Sequence, residues 1–162
     1  MKIGVLSDTH LHDFNACSEL ADKLLNGPFS GVDAILHAGD IVWPDLGLCF
    51  APIPWYGVCG NMDSPSSSLP LQRILMLNHV RIGLIHGWGA PAGIEQRVLA
   101  HFSGEKLDVL IFGHSHRPVC RWAGSVFLLN PGSATDRRSS PRHTVAILDL
   151  DGEINGEIIS ID

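Results

Sequence analysis

Five apolar runs in this chain each end abruptly in residues of the types that ligate metal ions. Lys2–Leu6 leads into Ser7-Asp8-Thr9-His10, and Ala34-Ile35-Leu36 into His37-Ala38-Gly39-Asp40. Tyr56-Gly57-Val58-Cys59 leads into Gly60-Asn61-Met62-Asp63, Arg81–Ile85 into His86-Gly87, and Val109–Phe112 into Gly113-His114-Ser115-His116. The resulting inventory is two carboxylates (Asp8, Asp40), one amide oxygen (Asn61) and four imidazoles (His10, His86, His114, His116). That exceeds what a single tetrahedral ion needs and matches a pair of ions roughly 3.5–4 Å apart, with a bridging carboxylate and open positions for water and substrate. Mixed oxygen and nitrogen donors without thiolate favour Mn, Fe, Ni, Co or Zn over Mg or Ca. Two divalent cations facing two carboxylates leave a positive excess suited to a phosphate ester. A metal-bound hydroxide would then attack phosphorus while both ions hold the non-bridging oxygens.

Such a centre forms only if the five strand ends meet. In α/β folds, ligands bind where strands end at one edge of the sheet, so convergence is the expectation. Asp8 and His10, two apart on backbone read as extended, project to the same side, as do His114 and His116. Gly39, Gly60, Gly87 and Gly113 sit beside the candidate ligands, where small residues let backbone approach a crowded ionic centre. The elements that do the positioning follow from periodicity. Strands are expected over Ile3 to Leu6, Ala34 to Leu36, Ile53 to Val58 and Val109 to Phe112, and a hairpin over Arg73 to Leu77 and Val80 to Ile85 about Asn78-His79. Helices are expected from Ala16 to Asn26, closed by Gly27-Pro28, and from Ala92 to Phe102. Short β segments follow at Val119 to Trp122, Val126 to Leu129, Thr144 to Leu150 and Glu153 to Ile161, with turns at Ala123-Gly124 and Asp151-Gly152. Strands alternating with helices, then strands alone, point to an α/β sandwich built as one domain over residues 1–162.

Taken in order, Asp8-Thr9-His10, Gly39-Asp40, Gly60-Asn61-Met62-Asp63, His86-Gly87 and Gly113-His114-Ser115-His116 resemble the calcineurin-like metallophosphoesterase superfamily. The resemblance spans nearly the whole chain, and Asn130-Pro131-Gly132-Ser133 looks like the segment that follows in its small single-domain bacterial and archaeal phosphodiesterase branch. It implies a four-layer α/β/β/α sandwich of two mixed sheets flanked by helices. It implies two divalent metal ions per chain, manganese foremost, with nickel, iron, cobalt and zinc as alternatives. Asp8, His10 and His116 would hold the first ion, Asn61, His86 and His114 the second, and Asp40 both. Asp40, Asn61 and His86 are the residues assigned to catalysis. The chain departs from the family at Met62, where many members carry a histidine that can protonate the leaving group. Methionine cannot donate that proton, so the expectation is either a preference for activated or aryl-type phosphodiesters or an acid recruited from elsewhere in the chain. Two other outcomes on the same fold are a non-catalytic interaction scaffold, as in the eukaryotic retromer scaffold subunit, and a phosphomonoesterase or a nuclease acting on short oligonucleotides. Retention of all seven ligands argues against the scaffold.

Composition bounds the partners. With 45% hydrophobic and 17% charged residues in 162, the chain reads as globular. Its net charge of −6 without a Lys/Arg cluster lacks the footprint of a long nucleic-acid binder. No apolar stretch approaches a bilayer span and no leader is evident, so a cytoplasmic enzyme acting on a small phosphate ester is expected, with homo-oligomerisation open. Cys17, Cys49, Cys59 and Cys120 read as buried free thiols. His37 is expected to be a buried partner orienting a ligand, and Asp63 to bond backbone near Asn61. His12 and Asp13 are expected in an exposed loop, and Arg137, Arg138 and Arg142 in a solvated one. Trp43, Trp55, Trp88 and Trp122 read as core or subunit-contact residues rather than base-stacking platforms; Trp88, next to His86-Gly87, is the one of the four with a substrate-facing alternative.

Overall fold

A computed structural model describes residues 1–162. Ten strands and two helices follow in the order β1 (Lys2–Leu6), α1 (Phe14–Leu25), β2 (Ala34–His37), β3 (Trp55–Gly57), β4 (Gln72–Leu77), β5 (Val80–Ile85), α2 (Ile94–His101), β6 (Val109–Ile111), β7 (Val119–Ala123), β8 (Val126–Asn130), β9 (Thr144–Asp149) and β10 (Asn155–Ser160). They form two five-stranded sheets, β10-β9-β1-β2-β3 and β4-β5-β6-β8-β7. Each is mixed: β1, β2 and β3 run parallel in the first, and β5, β6 and β8 in the second, with antiparallel strands outside them.

Strand periodicity sets the layering. Ile3, Val5 and Leu36 point one way to meet Ile82, Leu84, Val109, Ile111 and Leu129, so this central cluster is the seam between the sheets. Their neighbours Leu6 and Ile35 point the other way, onto Cys17, Leu20, Ala21 and Leu24 of α1. Likewise Ile85, Leu110 and Leu128 face away from the seam, onto Ile94 and Val98 of α2. Alternation thus sends successive side chains of one strand to different cores, and the result is helix, sheet, sheet, helix. This is the four-layer sandwich expected of the sequence.

The parallel strands matter most for function, because their carboxyl ends share one rim. The turns after β1, β2 and β3 come from one sheet, and those after β5, β6 and β8 from the other. The turn between β4 and β5 is tight, with Asn78 and His79 at φ of 46° and 66°, the positive-φ pair of a two-residue hairpin. Both helix starts moved by two residues, and β3 and β10 begin two residues later than expected, at Trp55 and Asn155. Helix α1 starts at Phe14 because Asp13, read as a loop residue, caps it, accepting the Ala16 N–H at 2.9 Å. Helix α2 starts at Ile94 because Gly93, at φ 77°, turns the chain into it. A 3₁₀ turn over Leu46–Phe50 had no sequence signal strong enough to read; it buries Leu46 and Phe50 against α1. No helix is long and apolar enough to cross a membrane.

Candidate metal centre

All seven expected ligand positions lie on the shared rim, four on turns of the first sheet and three on turns of the second. Asp8 is fully buried, and Asp40, His86 and His116 nearly so; His10 and His114 are half-buried and Asn61 is exposed. In the first half of the cluster, His116 Nε2 lies 3.3 Å from Asp8 Oδ1 and 3.3 Å from His10 Nε2. In the second, His86 Nε2 lies 3.3 Å from Asp40 Oδ2 and 3.1 Å from Asn61 Oδ1, and His114 Nδ1 lies 3.0 Å from the same amide oxygen. Asp40 Oδ2 stands between the halves, 3.7 Å from His10 Nε2. Two groupings therefore have donor atoms close enough to share an ion: Asp8, His10 and His116, and Asp8, Asp40 and His86.

The turns achieve this convergence by a route the sequence did not reveal. Asp8, His10, Asp40, His114 and His116 are not extended; their φ values are 53°, 46°, 56°, 67° and 55°. The expectation that Asp8-x-His10 and His114-x-His116 project to one side as strand neighbours is corrected accordingly. Left-handed backbone folds each turn back on itself, so that both members of a pair point down into the rim. Asp and His tolerate this region better than most residues, and local hydrogen bonds hold it. Asp8 N–H donates to Gly39 O at 3.0 Å and His10 N–H to Asp40 O at 3.1 Å. Ser133 Oγ donates to Asp8 O at 2.7 Å, and the His114 N–H donates to Asp8 Oδ2 at 3.0 Å. Ser133, Thr135 and Asn130 were not singled out as supports. Asn130 donates to Gly113 O at 3.0 Å and Thr135 Oγ1 to Thr9 O, so the segment after β8 ties the first and last ligand turns together.

The imidazole tautomers follow from their outer partners. His86 Nδ1 meets Ala38 O at 2.7 Å, His114 Nε2 meets Gly89 O at 2.8 Å, and His116 Nδ1 meets Asp136 O. A carbonyl only accepts, so each outer nitrogen carries the proton and each inner one presents a lone pair. With these tautomers Asp8 Oδ1 is buried with no proton donor, its neighbour at 3.3 Å being the unprotonated His116 Nε2. Lone pairs and carboxylate oxygens thus face one another with few protons between them, an arrangement that divalent cations satisfy. By this test the residues fit a metal pair.

Without cations, the groups share protons. Burial would raise the Asp8 carboxyl, yet the His116 hydrogen bond and the charges of His86 and His116 hold it below its ordinary value. Desolvation likewise opposes ionisation of Asp40, and the His86 hydrogen bond and charge outweigh it. Burial would lower His86 and His116, but hydrogen bonds to Asp40 and Asp8 respectively raise both. His10 goes the other way: desolvation prevails over the pull of Asp40 and Asp8.

The supporting residues largely match expectation. Asp63 accepts backbone N–H groups from Asp40, Val42 and Gly60 at 3.0, 2.7 and 2.6 Å, joining the second and third ligand turns. His37 is buried between Thr9 Oγ1 at 3.1 Å and the Gly39 N–H at 3.2 Å, stacked at an angle on Trp55. Burial pushes its imidazole down to about 3, so it stays neutral in the fold. Unfolded, it takes up a proton below its ordinary value of about 6.5. Its contribution is therefore intact above that pH and lost progressively as pH falls toward 3. In chelated protein, a His37→Gln variant is expected to lose less stability between pH 6.5 and 4 than the parent, read by urea denaturation. Parallel pH slopes would refute this.

The remaining residues divide. His12, Arg137, Arg138 and Arg142 are exposed as expected. All four cysteines are free, but only Cys17 is buried. Trp43 and Trp55 are partly covered, whereas Trp88 and Trp122 are 44% and 50% exposed.

Comparison with known proteins agrees with this geometry. Residues 1–153 match the model of the calcineurin-like phosphoesterase superfamily domain. A probable metallophosphoesterase of Methanothermobacter thermautotrophicus is 40% identical, covering 98% of this chain and 92% of its own length. Among solved structures, one described as a novel archaeal phosphodiesterase superposes with a TM-score of 0.75 at 22% identity, over 98% of this chain and all of its own. Wild-type Vps29 of Entamoeba histolytica, solved with Zn²⁺, does so with a TM-score of 0.71 at 20% identity, over the full length of both chains. At such identities the likeness is one of fold.

Proposed function

This chain belongs to the calcineurin-like phosphoesterase superfamily, and from that premise we propose that it hydrolyses phosphodiesters at a pair of divalent cations held on the rim between its sheets. The observation that supports this most is the inward-facing set of acceptors, whose outer nitrogens are pinned to backbone carbonyls. When bound, the cations supply Lewis acidity toward phosphoryl oxygens and generate a nucleophile from water at neutral pH. Manganese is the ion we assign first, with nickel, iron, cobalt and zinc as substitutes.

The chain's own residues supply position. Asp8, His10 and His116 would hold one cation and Asn61, His86 and His114 the other; Asp40, whose Oδ2 lies between His10 and His86, would serve both. Asp40 is fixed for this by the Met62 N–H, which donates to its Oδ1 at 2.7 Å. The side chain of Met62 is 57% exposed beside Asn61 and holds no proton to give a leaving group. Good leaving groups are therefore favoured, since general-acid help is worth about 10²–10⁴-fold.

A second reading is a scaffold of the Vps29 kind, supported by the fold likeness to Vps29. One experiment separates the two. Chelated protein is expected to be inactive and to regain hydrolysis of nitrophenyl phosphodiesters on addition of Mn, with nitrophenyl monoesters and alkyl diesters turned over more slowly. Failure of Mn, Ni, Co, Zn and Mg alike to restore any ester hydrolysis would favour the scaffold.

A further inference from the structure

A cavity of about 410 Å³ opens from the metal centre, with Asn61 and His86 at one end, Leu71 and Trp88 as apolar walls, and Gln72 and His101 beyond them. We propose that it is the subsite for an aromatic ring carried on one ester arm of the substrate, stacked on Trp88; this rests on the phosphoesterase reading of the adjoining centre.

Three observations carry the assignment. The first is size: the cavity falls within the range of small-molecule pockets, roughly 300–1,000 Å³, well beyond the need of a phosphoryl group alone. The second is exposure of large apolar side chains beside a polar centre, 76% for Leu71 and 44% for Trp88. The third is rigidity. The Arg97 guanidinium donates to the carbonyls of Trp88 at 2.9 Å, of Ala92 at 3.0 Å and of Ala90. Gly89 O accepts from His114 Nε2 at 2.8 Å, so the same loop is fastened to a candidate ligand. The Trp88 ring rests edge-on against His101 at 5.6 Å and 76°, and His101 is itself held by Gln72 Oε1. A tryptophan so fixed is a preorganised platform, since little side-chain freedom remains to be lost when a ring docks on it. No Asp, Glu, Lys or Arg side chain lines the cavity, so the favoured arm is uncharged. Trp88 thus sets specificity, and Arg97 is a positioning residue.

Binding of phosphonates to Mn-loaded protein, measured by calorimetry, tests this without turnover. Phenylphosphonate is expected to bind about tenfold tighter than methylphosphonate, with cyclohexylphosphonate between them, because ring stacking adds to area burial. Trp88→Ala is expected to bring the phenyl and methyl compounds within about twofold while leaving methylphosphonate affinity unchanged; Trp88→Phe is expected to keep part of the preference. Adenosine 5′-monophosphate against ribose 5-phosphate then distinguishes a nucleobase from a simple aryl ring. Equal phenyl and methyl affinities in the parent, or a preference undiminished in Trp88→Ala, would overturn the subsite. If a Trp88-dependent ring preference persists but no diester is hydrolysed, the phosphoesterase reading fails and the subsite stands.

Discussion

Asp40→Asn is expected to lower metal-restored phosphodiester hydrolysis at least ~10³-fold, equivalent to about 4 kcal/mol of transition-state stabilisation. The substitution is chosen for what it keeps. Asn tolerates the left-handed backbone at this position (φ 56°), and its amide oxygen still accepts the Met62 N–H, so the turn retains its shape. What disappears is one negative charge at Oδ2, which lies 3.3 Å from His86 Nε2 and 3.7 Å from His10 Nε2. With Asp40 as the proposed bridge, both cations would lose a shared ligand, so the metal content of the purified variant is expected to fall with activity. Asp40→Ala removes the Oδ1 acceptor as well and adds a stability cost. Full metal content with parental turnover in Asp40→Asn would rule out a bridging role.

The second large effect needs no ligand to be touched. A Cβ added at Gly60 would stand 2.2 Å from Asp40 Oδ1 and 2.3 Å from the Asp40 backbone nitrogen. The clash is with backbone, and that backbone is anchored: Asp63 Oδ2 accepts from both Gly60 and Asp40. Gly60→Ala must therefore spread the second and third ligand turns apart. Overpacking of this sort costs about 1–3 kcal/mol, or roughly 3–10 °C of melting temperature in a chain of this size. Metal-dependent hydrolysis should fall by more than the loss of folded protein accounts for. Gly104→Ala, where nothing lies within 4 Å, is the control and should leave both quantities unchanged. A Gly60→Ala protein that melts and turns over like the control would mean that the turns can slide past each other freely.

Much of this was legible because the residues that matter announce themselves by type at strand ends. Val109–Phe112 is apolar without a break and then yields to Gly113-His114, a change that fits a buried strand opening onto a site. The hairpin at Asn78-His79 was readable because Asn favours positive φ. The four layers came from the family resemblance, because strands that are apolar throughout do not say which face meets which core. What stayed hidden were the relations between distant segments. Nothing near β9 says that it returns to pair with β1 while β7 and β8 remain in the other sheet. Asp13 looked like a loop residue because its capping role depends on a helix whose first turn, Phe14-Asn15, has no apolar period. The Arg97 fork was missed for a similar reason: one arginine on a helix carries no sign that three loop carbonyls await it. The turns themselves misled, because Asp-x-His on extended backbone and Asp-x-His on left-handed backbone spell the same.

Those left-handed turns have a bearing on how such a protein changes over time. L-residues pay roughly 1–2 kcal/mol each for that region, so the rim of candidate ligands is held against the chain's own preference while the interior of the sandwich is not. Selection for chemistry must keep renewing the arrangement; once that pressure lapses, glycine or asparagine at Asp8, His10 or His116 would relax it with little disturbance elsewhere. A fold of this design can shed its reaction and survive as a shape, so descendants with the same silhouette and no enzymology are a natural outcome of its construction.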